Sequence, residues 1–145
     1  MGSFEVKKVH HLGFVVRNLD ETLKVWEGLF GVKADIKENP DLQVRLGAFN
    51  LAGIRFVFNE STHPESRWAK YLESNGEGLE HAAFEVDSIE AATEQAAGLG
   101  ISLRFAEHKP LHGFLTNFID EQIAHGTAIE FMGPDANAPA GEDDL

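Results

Sequence analysis

The chain has 145 residues, enough for one domain, and its 43% hydrophobic content, including 11 phenylalanines, can bury a sizeable core. Its net charge of −12, from 24 acidic and 12 basic side chains, repels nucleic-acid backbones and anionic membrane surfaces. It has no cysteine, so disulfides, zinc–thiolate sites and thiol nucleophiles are excluded, and any metal must be held by His, carboxylate, amide or water.

No apolar run reaches the roughly 18 residues that a membrane span requires. Met1 to Lys8 lacks the apolar core of a signal peptide, which leaves the cytoplasm as the expected location, and Met1-Gly2-Ser3 reads as an expression scar. Val6 to Val16 is valine-rich and loosely alternating, so it reads as a strand. Asn18 or Asp20 can cap a following helix with an apolar face of Leu23, Val25, Trp26 and Phe30, and Gly31 is placed to stop it. Strands are expected at Val32–Ile36, Gln43–Phe49 and Ile54–Phe58, with turns at Glu38–Asp41 and Asn50–Gly53. Glu65–Glu73 reads as a linker helix carrying Trp68 and Tyr71.

The order then repeats. Leu79–Val86 reads as a strand and Ser88–Leu99 as an alanine-rich helix, followed by strands at Ile101–Phe105, Phe114–Asp120 and Thr127–Met132. Beyond Gly133 the Pro, Ala, Gly and acidic composition predicts a disordered tail over 133–145. The repeat is also visible residue by residue. His11, Phe14, Val16 and Leu19 recur as His81, Phe84, Val86 and Ile89 at identical offsets. A duplicated half-domain is the expected origin.

A histidine in an apolar strand is, taken alone, more often a core residue than a ligand. Two in register, with small neighbours at Gly13 and at Ala82-Ala83, point to a shared metal. Glu130 lies in Thr127-Ala128-Ile129-Glu130-Phe131-Met132. Strand parity sets Ile129 and Phe131 on one face and Ala128, Glu130 and Met132 on the other. A carboxylate buried unpaired there costs several kcal/mol or more, which a metal would offset; an edge strand with Glu130 in water is the alternative.

These features resemble the vicinal-oxygen-chelate (glyoxalase/bleomycin resistance/dioxygenase) superfamily over residues 8–132, and within it the methylmalonyl-CoA epimerases. The resemblance rests on Val9-His10-His11-Leu12-Gly13-Phe14, on Gly78-Leu79-Glu80-His81-Ala82-Ala83-Phe84, on Asn117-Phe118-Ile119-Asp120 and on Gly126-Thr127-Ala128-Ile129-Glu130-Phe131. It implies an α+β fold of two βαβββ modules, about 8–60 and 78–132, joined by a helix at 65–74. The modules would form a cupped, mostly antiparallel barrel. It further implies one divalent metal ion (Fe, Mn, Co, Ni or Zn) on His11, His81 and Glu130, a small-molecule substrate and a homodimer. His10 should face away from the metal.

The chain departs from the epimerase pattern twice. The fourth ligand of that pattern falls on Val57 or on Arg55, depending on which residues are matched, and neither can ligate. Val44-Arg45-Leu46 stands where the epimerases carry a proton-shuttling Glu. Arg45 and Arg55 are expected to face the cup and bind a substrate carboxylate or phosphate. His112, in the loop before Phe114, is the candidate acid/base, and Glu130 is assigned a catalytic part as ligand. Two His and one carboxylate with open positions also match Fe(II) dioxygenases. The resemblance therefore implies a metal-dependent isomerase, epimerase or lyase, with an Fe(II)-dependent dioxygenase and a non-catalytic binding protein as alternatives.

Overall fold

A computed structural model of the chain describes residues 3–138. Strand β1 (Val6–Val15) leads into α1 (Leu19–Phe30), β2 (Asp35–Asn39), β3 (Val44–Leu51) and β4 (Ile54–Ser61). Helix α2 (Arg67–Asn75) follows, then β5 (Gly78–Val86), α3 (Ile89–Gly98), β6 (Lys109–Leu111), β7 (Phe114–Ile119) and β8 (Ala128–Pro134). The fold is α+β, with strands ordered β2-β3-β4-β1 in the first run and β5-β8-β7-β6 in the second. β1 runs parallel to β4 and β5 parallel to β8, while β2–β3, β3–β4, β6–β7 and β7–β8 are antiparallel. No helix among the described residues is long and apolar enough to cross a membrane. The chain divides into two compact units, His11–Glu80 and Met1–His10 with His81–Leu145.

In the unit His11–Glu80, Asn18 is the residue that caps α1: its side chain accepts from Glu21 N at 3.0 Å. Glu60 Oε2 accepts from Leu19 N at 3.0 Å, which satisfies a second free amide of the first turn. Gly31 ends the helix at φ 68, a left-handed conformation that costs glycine little. The helix buries Leu19 and Leu23 against Val16, Phe49 and Phe58, with Phe14, Trp26 and Phe56 packed beside them. Phe14 stacks on Phe58 at 4.9 Å, and Trp26 tilts against Phe58 at 5.1 Å. Val25, expected on this apolar face, is 63% exposed, because two positions from Leu23 the helix has turned about 200°. The opposite side of this part of the sheet carries Val15 and Val44, covered by Trp68, Tyr71 and Leu72 of α2.

In the unit with His81–Leu145, α3 is capped by Ser88 and lays Ile89, Ala92 and Ala96 against Val86, Ile119 and Phe131. Its small side chains permit close approach: a Cβ placed on Gly133 would stand 2.9 Å from Ile89 Cβ. The strand expected at Ile101–Phe105 is absent. Its alternating Ile101 and Leu103 do enter the core, but alternation reports a buried face and supplies no ladder partner. The edge of β7 is taken by Lys109–Leu111 instead, within the segment expected to be a loop. Asn117 holds the displaced segment: its side chain accepts from Phe105 N at 3.0 Å and donates to Phe105 O at 2.9 Å. Gly133 and Pro134, expected to belong to the tail, complete β8 instead. Residues 139–145 of that tail, and Met1 and Gly2 of the expected expression scar, lie outside the described residues.

Candidate metal centre

Strand β8 turns Ile129 and Phe131 toward α3, as alternation predicts, and so turns Ala128, Glu130 and Met132 to the other face, where all three are buried. Glu130 is 2% exposed. Its register partner on β5 is Ala83, itself fully buried, so no bulky side chain opposes the carboxylate across the ladder. His81 Nε2 lies 3.6 Å from Glu130 Oε1. That separation is longer than a hydrogen bond but leaves both donors facing one space. Phe118, the partner of Glu130 on β7, sets its ring edge-on to His81 at 6.0 Å. The Arg104 guanidinium also lies over the Phe118 ring, 4.2 Å from its centroid.

His11 is 6% exposed on β1, and its register partner on the parallel strand β4 is Arg55. Phe14, Phe56 and Phe58 fix the face turned to α1, which leaves His11, Gly13, Arg55 and Val57 on the other. His11, His81 and Glu130 each offer one ligand atom of a type that holds a metal ion, and His81 and Glu130 lie within one unit. Two imidazoles and one carboxylate, borderline-to-hard donors, suit Zn, Fe, Co, Ni or Mn.

The strand registers show which residue of β4 corresponds to Glu130 of β8. In one half His81 pairs with Ala128 and Ala83 with Glu130. In the other His11 pairs with Arg55 and Gly13 with Val57. Val57 is therefore the counterpart of Glu130, and Arg55 the counterpart of Ala128.

The two arginines differ in setting. Arg45, expected to face the cup, lies instead on the α1 side of β3, the same side as Gly47, whose added Cβ would meet Leu23 and Ile36. There Arg45 Nη2 donates to Asp20 Oδ1 at 2.9 Å and Nη1 lies 3.9 Å from Glu60. The hydrogen bond to Asp20 raises its pKa further above the ordinary arginine range. Arg55 has no such carboxylate among the described residues: its side-chain bond is a long one, 3.4 Å from Nη1 to Asn50 Oδ1, and its buried Nε has no partner.

His112 lies in the exposed turn between β6 and β7 at φ 47. His10 sits on the opposite face of β1 from His11, as parity predicts, and packs edge-on to Phe114 at 5.5 Å. His125 occupies an exposed turn at φ 63. His63 Nδ1 accepts from Glu65 N at 3.0 Å. Sequence reasoning missed the part played by His108. Its Nδ1 lies 3.1 Å from Asn117 Nδ2 and its Nε2 3.2 Å from Glu90 Oε2. An amide nitrogen only donates, so Nδ1 must accept and Nε2 carries the proton toward Glu90. The Asn117–Asp120 motif, which helped carry the resemblance, thus has a structural role. Asn117 ties down Phe105 and His108, and Asp120 pairs with Arg104.

The profile of the Glyoxalase/Bleomycin resistance protein/Dioxygenase superfamily matches residues 10–118. A methylmalonyl-CoA epimerase, mitochondrial, of Dictyostelium discoideum is 27% identical over 139 residues, covering 92% of this chain and 75% of that protein. The crystal structure of a hypothetical protein from Bacillus halodurans superposes with a TM-score of 0.74 at 25% identity, covering 91% of this chain and 97% of that one. Methylmalonyl-CoA epimerase from Mycobacterium tuberculosis superposes with a TM-score of 0.72 at 22% identity, covering 92% and 90%. The matched span is most of the chain, and the chain belongs to the glyoxalase/bleomycin resistance/dioxygenase superfamily.

Proposed function

We propose that this chain is a metal-dependent enzyme of the isomerase or epimerase type, acting on a small oxygenated acid or thioester that chelates the metal through vicinal oxygens. The observation that carries the reading is the pair His81 and Glu130, 3.6 Å apart on neighbouring strands, with the repeat's other histidine, His11, buried on β1. In this reading the two βαβββ runs are the halves of a cupped barrel, with the linker helix between them, and the protein is a homodimer. The epimerase relative and the epimerase structures support a CoA thioester as the first substrate to try.

His11, His81 and Glu130 would hold the ion. A divalent metal supplies Lewis-acid polarisation and stabilisation of enolate charge. The protein's own part is positional. Strands β5 and β8 hold His81 and Glu130 with little freedom, and Phe118 and Arg104 wall the same face against water. Proton transfer falls to His112, an imidazole on the turn before β7 that can both accept and donate a proton. Replacing His112 by Ala would then slow proton exchange without changing metal content.

The test is elemental analysis of protein purified without chelators, followed by α-proton exchange of methylmalonyl-CoA in D₂O. Near-stoichiometric metal with exchange that stops on chelation is the expected result. Protein that retains no metal, and exchanges no proton when metal is supplied, overturns the reading.

One observation favours a second reading, an Fe(II)-dependent dioxygenase: Val57 leaves the ligand set at three, with open positions. Strict dependence on Fe(II) and consumption of O₂ would support it. Anaerobic turnover with Co(II) or Zn(II) eliminates it.

A further inference from the structure

Among the described residues, Arg45, Arg67 and Arg104 each pair with a carboxylate, on Asp20, Glu80 and Asp120 respectively. Arg55 does not. It is the register partner of His11, on the same side of the sheet, at the position filled by Ala128 in the other half of the repeat. Its Nε is sealed from solvent with no hydrogen-bond partner, and Nη1 makes only the long contact with Asn50. Its Nε has lost hydration without gaining an acceptor, a cost that calls for an explanation, while the Nη edge stays open to an incoming group.

We infer that Arg55 is a specificity-determining residue, selecting substrates with a carboxylate that its Nη atoms engage beside His11. This rests on the proposed metal-dependent reading for the neighbouring chemistry but not for the contact itself, because the arginine charge is present with or without a metal. The planar Nη edge suits a carboxylate, and no protein anion competes for it among the described residues. A neutral acyl group would leave the guanidinium unsatisfied and is rejected on that account. Arg45 cannot serve in its place, since Asp20 and Glu60 already occupy it.

The probes are malonate and its uncharged analogue malonamide, titrated calorimetrically into metal-free and Co(II)-loaded protein. Wild type is expected to bind malonate in both states and malonamide at least about tenfold more weakly, as a lost charged hydrogen bond implies. Arg55→Gln should lose that preference. Arg55→Lys, which keeps the charge, should keep malonate ahead of malonamide. Both variants should bind Co(II) as wild type does. Equal binding of the two probes by wild type, or an unchanged preference in Arg55→Gln, overturns the inference. The lysine variant and the wild-type comparison decide the matter even if the glutamine variant fails to fold. Arginine-dependent malonate binding in a protein that takes up no Co(II) would sink the metal reading and leave this inference standing. Co(II) uptake with no preference for malonate would do the reverse.

Discussion

His81 Nε2 stands 3.6 Å from Glu130 Oε1, with the His81 side chain 13% exposed and the Glu130 side chain 3%. Ala83, directly across the ladder from Glu130, adds no bulk to the space between them. Two potential ligands are thereby held on rigid neighbouring strands with little solvent, at a cost in desolvation that an ion would offset.

The first expectation concerns that pair. His81→Ala and Glu130→Gln should each reduce the metal retained after purification to below about a tenth of the wild-type content, measured by elemental analysis. A divalent ion at about 100 times its dissociation constant should stabilise wild type by about 2.7 kcal/mol and neither variant, as read by scanning calorimetry. Metal-free Glu130→Gln should be within about 1 kcal/mol of metal-free wild type, because the amide keeps the side chain's shape and removes the desolvation cost of the carboxylate. A large loss of stability in the metal-free variant would mean that Glu130 holds up the fold.

The registers make Val57 the counterpart of Glu130. Val57→Glu should therefore add a fourth ligand. Zn(II) affinity, measured by competition with a chelator, should rise about tenfold or more, on the order of one added coordinate bond tuned by its surroundings. If Arg55 held the equivalent position, Val57→Glu would leave Zn(II) affinity unchanged.

Asn117 is completely buried, and its side chain satisfies Phe105 N, Phe105 O and Phe118 N. Asn117→Ala leaves those groups without partners and should cost about 2–3 kcal/mol in denaturant unfolding. Hydrogen exchange should accelerate most at Phe105, the residue the side chain ties down.

Two glycines separate hard from soft packing. An added Cβ at Gly133 meets Ile89 Cβ at 2.9 Å and Ile89 N at 3.0 Å, atoms that cannot move unless α3 moves. Gly133→Ala should cost about 1–3 kcal/mol. At Gly47 the close atoms are Leu23 Cδ1 at 2.7 Å and Ile36 Cδ1 at 3.2 Å, ends of side chains that can rotate. Gly47→Ala should cost less than Gly133→Ala in the same unfolding experiment.

The sequence by itself determined what periodicity, duplication and capping can express. The His11/His81 repeat, the face of β8 that carries Glu130 and a cap for α1 at Asn18 or Asp20 all follow from local order, because a strand alternates every two residues and a cap acts within one turn. It left open whether Val57 or Arg55 answers to Glu130, since both share the parity and only inter-strand register separates them. Alternation also made Ile101–Phe105 resemble a strand, because it records burial of one face while a ladder needs a free edge. The fate of the arginines was decided in the same way. Arg45 and Arg55 look alike along the chain. Asp20 and Glu60, distant in sequence, neutralise the first, whereas no carboxylate among the described residues reaches the second. Charge pairing between residues far apart in the chain exists only once the strands and α1 are packed.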